Sequence, residues 1–472
     1  MKRRLLILLA ATGLLVSACG ASGDSSSKGE EEGGGSSTTV AAATSAGSFG
    51  SLKDVCGKGE AKLQSGEGSS TTELNIGVAS DKGSTIRPGL NKELWDASQS
   101  FAAWCNEQGG IDGLKVNLID MDGKLFEVES AMAKACNDAF AMVGGAFTQD
   151  QLEFSGKEGT DFHKCKLIDI PGFAVSVQKG LSNGQVQPVP NPPNKVATQW
   201  ITDAKTVAPE DMKKNVVVYG DLPSLLVVKK QYDAGVQKVG GIEQLPAISY
   251  PVAGLQDWTP LAQKVKDSGA TSLYWIGEPT NAANLFKALK DQGWKGTIIN
   301  QTNIYDPLLF SAGNQGAEGV LARTSFHPFE EAAKWPAIQQ YQANLKKYVP
   351  DGKEASLGGQ STSAWLLFAT AVKECAAKNG NTVTRQCVLS QAAAQKDWTG
   401  GGLHAPTNPG VTDPATCGLW MVAVNGTFER KYPEIGGTDD TGDGFHCIPD
   451  GIATVTEDLG AQGAVDPSRP PL

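Results

Sequence analysis

Short apolar runs alternate along the chain with longer segments in which apolar residues recur every three or four positions. The run at 74–79 predicts a strand, and the next segment, 94–108, predicts a helix with Leu94, Phe101 and Trp104 on one face. The same pattern then predicts strands at 116–120, 141–144 and 166–170 and a helix at 128–140. Alternation of this kind is typical of β-α-β units around a parallel sheet.

A second series of the same kind begins after the segment 187–193, which contains four prolines. It predicts helices at 195–208, 223–239, 258–268 and 281–292, alternating with strands at 215–219, 245–250, 271–276 and 296–300. An irregular return crossing at 320–329 is followed by helices at 335–348 and 359–379 and a strand at 420–424. These patterns predict an α/β fold of two Rossmann-like lobes joined by a multi-strand hinge.

The length of the folded part supports two lobes, because about 400 residues exceed what one core usually holds. We expect the first lobe to comprise 73–187 and 327–410, and the second 188–326 and 411–450. Residues 451–472 are expected to form an irregular C-terminal tail.

The N-terminus carries the pattern of a secretory signal. Three cations precede an apolar run at 5–16, which is too short to span a hydrocarbon core that needs about 20 apolar residues. The run ends in Val16-Ser17-Ala18-Cys19, which resembles the lipobox of bacterial lipoproteins. This resemblance implies a lipoprotein signal peptide at 1–18, lipidation of Cys19 and a site of action on the extracytoplasmic face of the membrane. Ordinary secretion is the alternative.

Residues 19–60 are expected to form a disordered tether, because Gly, Ser, Thr and Ala dominate most of this segment and bury little apolar surface. Such a coil of roughly 30 residues spans about 30 Å. Removal of the three leader cations changes the net charge from −10 to −13. With no basic stripe interleaved with aromatic residues, this acidic balance argues against a nucleic-acid partner.

Nine cysteines minus the lipidated one leave an even number, eight, in an oxidising compartment. No CxxC pair of the kind found in zinc sites occurs among them. Disulfides are therefore expected, with free thiols or metal ligands as the alternatives. Eight cysteines allow 105 connectivities, so spacing alone leaves the pairing open.

Four short motifs in order carry a resemblance to a known family. The run 106–113, Asn-Glu-Gln-Gly-Gly-Ile-Asp-Gly, fits an N-x-x-GGI-x-G turn, and its glycines would end the preceding helix. Strand-end matches follow at 142–145, 170–172 and 274–277. Over about 73–430 the chain resembles the type I periplasmic binding proteins, specifically the leucine/isoleucine/valine-binding branch that serves ABC importers.

This resemblance implies a monomeric, non-enzymatic receptor without a cofactor. It would close around a small polar solute, such as an amino acid or amide, and dock on a membrane ABC permease. The implied topology also suggests disulfide partners. It places Cys136 beside Cys165, and the other expected pairs are Cys56–Cys105, Cys375–Cys387 and Cys417–Cys447.

The resemblance also directs attention to the loops that follow the strands. Thr148 and Gln149 stand where the family uses hydroxyl groups for a ligand carboxylate, and Phe173 replaces a small residue. The segment around Asn303 is neutral where relatives place an acid for an α-ammonium group. The usual amino-acid clamp is therefore not evident.

Other polar and aromatic residues near predicted strand ends complete the candidate ligand set. They are Arg87, Tyr219, Asp221, Trp275 and Glu278, together with Gln360 and Trp365 at the start of a late helix. Each has a plainer alternative. The acids would cap helices or lie in solvent, Arg87 would lie on the surface, and the aromatic rings would belong to the core.

Ligand sensing is the runner-up function, and two short motifs favour other functions only weakly. A ligand-sensing module of the same fold cannot be separated from a transport receptor by sequence, since fold does not imply function. A surface hydrolase would need Ser182 of the GxSxG run at 180–184, but four prolines follow it where a helix is required. The acidic turn at 439–450 only partly matches a calcium loop, and the four histidines are scattered.

Overall fold

The computed structural model describes residues 46–155, 161–411, 413–460 and 465–470. The predicted signal peptide, Cys19 and the tether as far as residue 45 lie outside the described residues. Within the described ranges, no helix combines the length and the apolar character needed to cross a bilayer.

The strands within the described ranges are numbered in chain order. They are β1 (Lys62–Leu63), β2 (Glu73–Ser80), β3 (Lys115–Asp122), β4 (Ala141–Val143), β5 (Asp169–Ile170), β6 (Lys195–Ala197), β7 (Lys214–Gly220), β8 (Glu243–Gln244), β9 (Ile248–Tyr250), β10 (Ser272–Ile276), β11 (Thr297–Asn300), β12 (Leu321–Thr324), β13 (Thr382–Val383), β14 (Cys417–Val424), β15 (Thr427–Tyr432), β16 (His446–Cys447) and β17 (Ile452–Thr454).

The α-helices are numbered in the same way. They are α1 (Lys92–Gln108), α2 (Val128–Asp138), α3 (Val177–Gly180), α4 (Gln199–Val207), α5 (Pro223–Val239), α6 (Thr259–Asp267), α7 (Pro279–Asp291), α8 (Asn314–Ala317), α9 (Pro336–Tyr348), α10 (Ser356–Lys378) and α11 (Arg385–Ala394).

Two sheets organise these elements, and each forms the centre of one lobe. The first lobe contains a parallel sheet in the order β3-β2-β4-β5. The second contains a sheet in the order β15-β14-β12-β11-β10-β7-β8, in which β7, β10, β11 and β12 are parallel and β14 is antiparallel. This arrangement confirms the predicted α/β fold with two lobes.

The glycine-rich turn between α1 and β3 shows why its sequence pattern is needed. Gly109 ends the helix with φ 112°, and Gly110 follows with φ 90°, both in the left-handed region that favours glycine. The Asn106 side chain then exchanges two hydrogen bonds with the backbone of Val116, at 2.8 and 2.9 Å. The turn thus joins the end of the helix to the next strand.

The first lobe is completed by helices from late in the chain. Trp365 on α10 is fully buried and stacks on Phe101 of α1, with ring centroids 5.1 Å apart. Arg385, at the start of α11, donates hydrogen bonds to the carbonyl oxygens of Phe140 and Ala139 at 2.7 and 2.8 Å. The lobe therefore combines early and late parts of the sequence.

Several predicted boundaries differ from the structure. The helix expected from residue 195 begins at Gln199, because Lys195–Ala197 pairs instead with Ile452–Thr454. That pairing also places a strand inside the tail expected to be irregular. The tether expected to reach residue 60 ends earlier, since Phe49 is only 1% exposed.

Four disulfides connect the cysteines of the described residues in the pattern that the implied topology suggested. They are Cys56–Cys105, Cys136–Cys165, Cys375–Cys387 and Cys417–Cys447. The last pair joins facing residues of the antiparallel strands β14 and β16. The first ties the segment before β1 to helix α1, which explains why this segment belongs to the fold.

A cluster of charged groups lies buried at the edge of the first lobe. Lys179 is 1% exposed, and its Nζ lies 2.5 Å from Glu153 Oε2 and also bonds Asp169 Oδ2. Burial raises the pKa of Glu153, while the positive charge of Lys179 beside it acts in the opposite direction. Burial alone would lower the pKa of Lys179, but the two carboxylates raise it above its usual range. The stability of this cluster therefore depends on Lys179, which pairs with both acids.

Candidate functional site

A cleft with a cavity of about 240 Å³ lies where the carboxyl ends of the parallel strands of both lobes meet. From the first lobe, the lining residues include Arg87, Leu90 and Asn91 after β2, Leu125 after β3, Thr148 after β4 and Phe173 after β5. From the second lobe they include Leu225 and Val228 on α5, Val252 after β9, Ile276 and Glu278 around the end of β10, Gln301 and Asn303 after β11, and Arg323 on β12.

The crossing segments between the lobes and helix α10 close the rest of the cleft. Their lining residues include Gln187, Val189, Pro190, Asn191, Pro414, Ala415, Leu357 and Gln360. A cavity of this size is slightly below the range of about 300–1,000 Å³ that is typical of small-molecule pockets. It therefore suits a small solute.

Six of the residues expected from the sequence line this cleft. They are Arg87, Thr148, Phe173, Glu278, Asn303 and Gln360. The Asn303 amide is fixed by donating to the carbonyl oxygen of Gly277 at 2.7 Å. Thr148 Oγ1 accepts a hydrogen bond from Asn91 Nδ2 at 3.2 Å, so the loops after β2 and β4 hold each other in position.

The other five expected residues lie outside the cleft lining, each for a physical reason. Trp275 and Trp365 are fully buried in the core, where Trp275 stacks on Tyr250 with centroids 4.6 Å apart. Tyr219 packs against a second-lobe core cluster. Gln149 donates to the Leu125 carbonyl oxygen, and Asp221 accepts from the Val252 amide at 2.7 Å. These two polar side chains therefore stabilise loops.

Arg87 and Glu278 form an ion pair across the cleft from one lobe to the other. Arg87 Nε lies 3.0 Å from Glu278 Oε1, and both side chains are largely buried. The guanidinium also donates to Asn281 Oδ1 at 2.7 Å. Glu278 in turn caps helix α7 by accepting the backbone N–H groups of Thr280 and Asn281 at 2.6 and 2.7 Å. The pair therefore stabilises the arrangement in which the lobes are close together.

We expect an Arg87→Met variant to shift the open–closed equilibrium toward the open form by about 5-fold, which corresponds to about 1 kcal/mol. The loss stays modest because Glu278 keeps its capping bonds. Small-angle scattering of the ligand-free protein should then show a larger radius of gyration. The control is Lys82→Met, which removes a cation paired with Asp120 inside the first lobe. An equal change in both variants would contradict the assignment.

Arg323 is a cleft residue that sequence reasoning missed. Its guanidinium carbon lies 5.4 Å from the centroid of the Trp200 ring, which supports one face of the group. Burial lowers the pKa of Arg323 to about 10, so the side chain remains charged at neutral pH. The sequence offered one signal: Arg323 is a cation inside the apolar run of a short strand.

The described cleft lining contains two arginines, Arg87 and Arg323, but one acid. Glu278 is the only acid among the described lining residues, and it is already engaged by Arg87 and by helix α7. Arg323, by contrast, takes part in no ion pair within the described ranges. The site can therefore attract an anion, and it lacks a free carboxylate for an ammonium group.

The GxSxG run and the acidic turn do not contribute to the cleft. Ser182 Oγ lies 3.2 Å from His163 Nε2, but Ser182 follows the short helix α3 instead of a strand, and both side chains are buried. Asp440 accepts backbone N–H groups of Gly442 and Gly444 within its own turn. In the described parts of the chain, no group of three or more potential ligands is arranged to hold a metal.

Comparison with solved structures supports the fold. A fatty acid ABC transporter substrate-binding protein from Thermomonospora curvata superposes with a TM-score of 0.64 at 17% identity, covering 78% of this chain and 93% of that one. The branched-chain amino acid binding protein LivJ from Streptococcus pneumoniae, solved with isoleucine, superposes with a TM-score of 0.60 at 16% identity. The match covers 76% of this chain and 98% of LivJ. A solute-binding protein from R. palustris in complex with 4-hydroxybenzoate superposes with a TM-score of 0.60 at 16% identity. The match covers 77% of this chain and 96% of that protein.

Comparison of the sequence itself gives the family. A search of curated proteins returns no match. A family profile described as periplasmic binding protein, however, matches residues 73–427. This range includes the first sheet, the second sheet as far as β14, and all of the cleft lining, and it agrees with the resemblance found in the strand-end motifs. The chain belongs to the periplasmic binding protein family.

Proposed function

We propose that this protein is an extracytoplasmic receptor that captures a small solute between its two lobes and delivers it to an ABC importer. The observation that carries this proposal is the cleft, because residues from both lobes line the same cavity. A solute bound there would contact both lobes only when they are close together. Binding would therefore favour the closed form through contacts that the open form lacks.

The proposal includes an anchor and a partner. Lipid on Cys19 would hold the receptor at the membrane, and the closed monomer would dock on the permease. The solutes named for the similar structures are a fatty acid, isoleucine and 4-hydroxybenzoate. All three carry a carboxylate, although they differ in size and shape.

The first test is native mass spectrometry of the full-length protein purified from membranes, followed by thermal unfolding with the solute that it carries. At 100 times its Kd, a solute should stabilise the protein by about 2.7 kcal/mol. A Leu90→Trp variant adds a large ring to the cleft lining and should lose this stabilisation. Leu226→Trp is the matched control, because Leu226 is 38% exposed and does not line the cavity. Equal stabilisation of both variants would contradict binding in the cleft.

Delivery to an importer is tested by co-purification. A permease recovered with the closed, solute-loaded protein would support transport. Recovery of a membrane signalling protein without a permease would instead favour a ligand-sensing function of the same fold.

A further inference from the structure

We propose that Arg323 binds the carboxylate of the solute, and that the solute is a monocarboxylate with an apolar body and no charged amine. This inference rests on the proposed function, since it names the class of solute that the cleft would take. It also replaces the amino acid or amide that the family resemblance suggested with a different chemical class.

The Arg323 guanidinium is placed to meet an anionic group of a solute. It lies in the cleft lining at the end of β12, with one face against Trp200. The negative charge of Asp203 attracts the Arg323 guanidinium without a direct bond. The Asp203 carboxylate is already bonded to His446 and Gln199. A partly buried cation without a bonded counter-ion is costly. An anionic group in the cavity would remove that cost through charge-assisted hydrogen bonds.

Gln360 on α10 independently indicates a polar ligand in the cleft. Its side chain is 8% exposed, and it faces the same cavity. Within the described residues, its Oε1 atom is buried without a hydrogen-bond partner. A bound polar group or an ordered water would supply the missing hydrogen bond. Because the two ends of an amide can exchange by a flip, Gln360 can donate to a carboxylate oxygen.

The described lining offers no free counter-ion for a charged amine. An α-amino acid needs a carboxylate to hold its ammonium group, and Glu278 is the only acid in the described lining. Glu278 already accepts hydrogen bonds from Arg87 and from two backbone N–H groups of α7. An ammonium group in the cleft would therefore be desolvated without a free counter-ion, beside two arginines.

The cleft wall indicates the chemistry of the rest of the solute. Much of the wall is apolar and comes from both lobes, with Leu90 and Phe173 on one side and Leu225, Val228 and Ile276 on the other. Burying hydrocarbon against this wall contributes about 25 cal/mol per Å². The cleft thus combines one unpaired cation with an apolar surface, which is complementary to a carboxylate on an alkyl or aryl body.

The test uses matched probes that differ only in their head group. Hexanoate is compared with hexanamide, and 3-phenylpropanoate with its amide and with L-phenylalanine, by titration calorimetry on the full-length protein. We expect each carboxylate to bind about 10- to 100-fold more tightly than its amide, the range for a hydrogen bond to a charged group. L-Phenylalanine should bind more weakly than 3-phenylpropanoate.

Variants then assign the effect to one residue. Arg323→Met should remove the preference for carboxylate over amide, while Arg323→Lys, which keeps the charge, should retain part of it. Lys213→Met removes an equally charged but exposed cation outside the cleft and should retain all of it. Thermal unfolding without ligand checks folding, and Arg323→Met should be at least as stable as the wild type because it removes a desolvated charge.

The outcomes separate this inference from the proposed function. If an amide or an amino acid binds as tightly as the carboxylates, and Arg323→Met leaves its affinity unchanged, the inference is wrong while the solute-binding function stands. If the protein carries no solute in native mass spectrometry and none of the probes binds, both are wrong. A carboxylate preference that depends on Arg323 supports both.

Discussion

A Lys179→Met variant is expected to lose about 3–5 kcal/mol of unfolding free energy, because removing one partner of a buried ion pair leaves uncompensated charge. Lys179 binds both Glu153 and Asp169, and all three side chains are buried. Methionine preserves most of the length of the side chain, so the lost charge dominates. Two carboxyl groups would then share a pocket without a cation.

The loss should grow with pH. Without Lys179, the pKa values of Glu153 and Asp169 in the folded state rise further above their unfolded values. A carboxyl group with a raised pKa binds more protons when folded, so stability falls as the pH rises through that window. In the wild type this effect is already present, because burial raises the pKa of Glu153. The variant should therefore show a steeper fall between pH 6 and pH 8.

Urea unfolding at both pH values measures this effect. The matched control is Lys213→Met, which breaks an ion pair with Glu210 on the surface, where both side chains are more than half exposed. The control should change stability by no more than about 0.5 kcal/mol. If Lys179→Met behaves like the control, the buried cluster does not hold the edge of the first lobe.

Replacing both Cys56 and Cys105 by serine should cost about 4 kcal/mol, from the loop-closure entropy of their 49-residue separation. This bond connects the segment around Phe49 to helix α1, so its loss frees the largest loop among the four disulfides. Non-reducing urea unfolding of the double variant measures the change.

The Cys375–Cys387 bond provides the internal comparison for this prediction. Its partners are 12 residues apart, and the same relation gives about 3 kcal/mol for their replacement by serine. The long loop should therefore cost more than the short one. A larger loss at the short loop would show that strain or residual structure in the unfolded chain outweighs closure entropy.

Much of the fold could be predicted from the sequence, because each lobe alternates strand and helix patterns with clear ends. Helix α5 begins and ends where its pattern predicted, with Pro223 at its first turn. The errors fall where long-range pairing decides the structure. Lys195–Ala197 resembles a helix start locally but becomes a strand, since a partner strand arrives from residue 452 onward.

The site was harder to predict than the fold. In β10 every residue is buried, because helices cover both faces of a parallel sheet, so alternation could not show which way Trp275 points. Arg87 and Glu278 were identified separately, but their pairing across 191 positions is a tertiary feature. Arg323 was missed because its segment was interpreted as a crossing, whereas it is the end of a strand that reaches the cleft.

The late contribution of α10 and α11 to the first lobe has a consequence for the order of folding. Trp365 and Arg385 complete a core whose last strand, β5, ends at Ile170, which is 195 residues before Trp365. The first lobe therefore stays incomplete on the growing chain while the whole parallel sheet of the second lobe is made. Until α10 has been synthesised, Phe101 and the apolar face of α1 lack their packing partner. The nascent chain is therefore most prone to aggregation during this stage of synthesis.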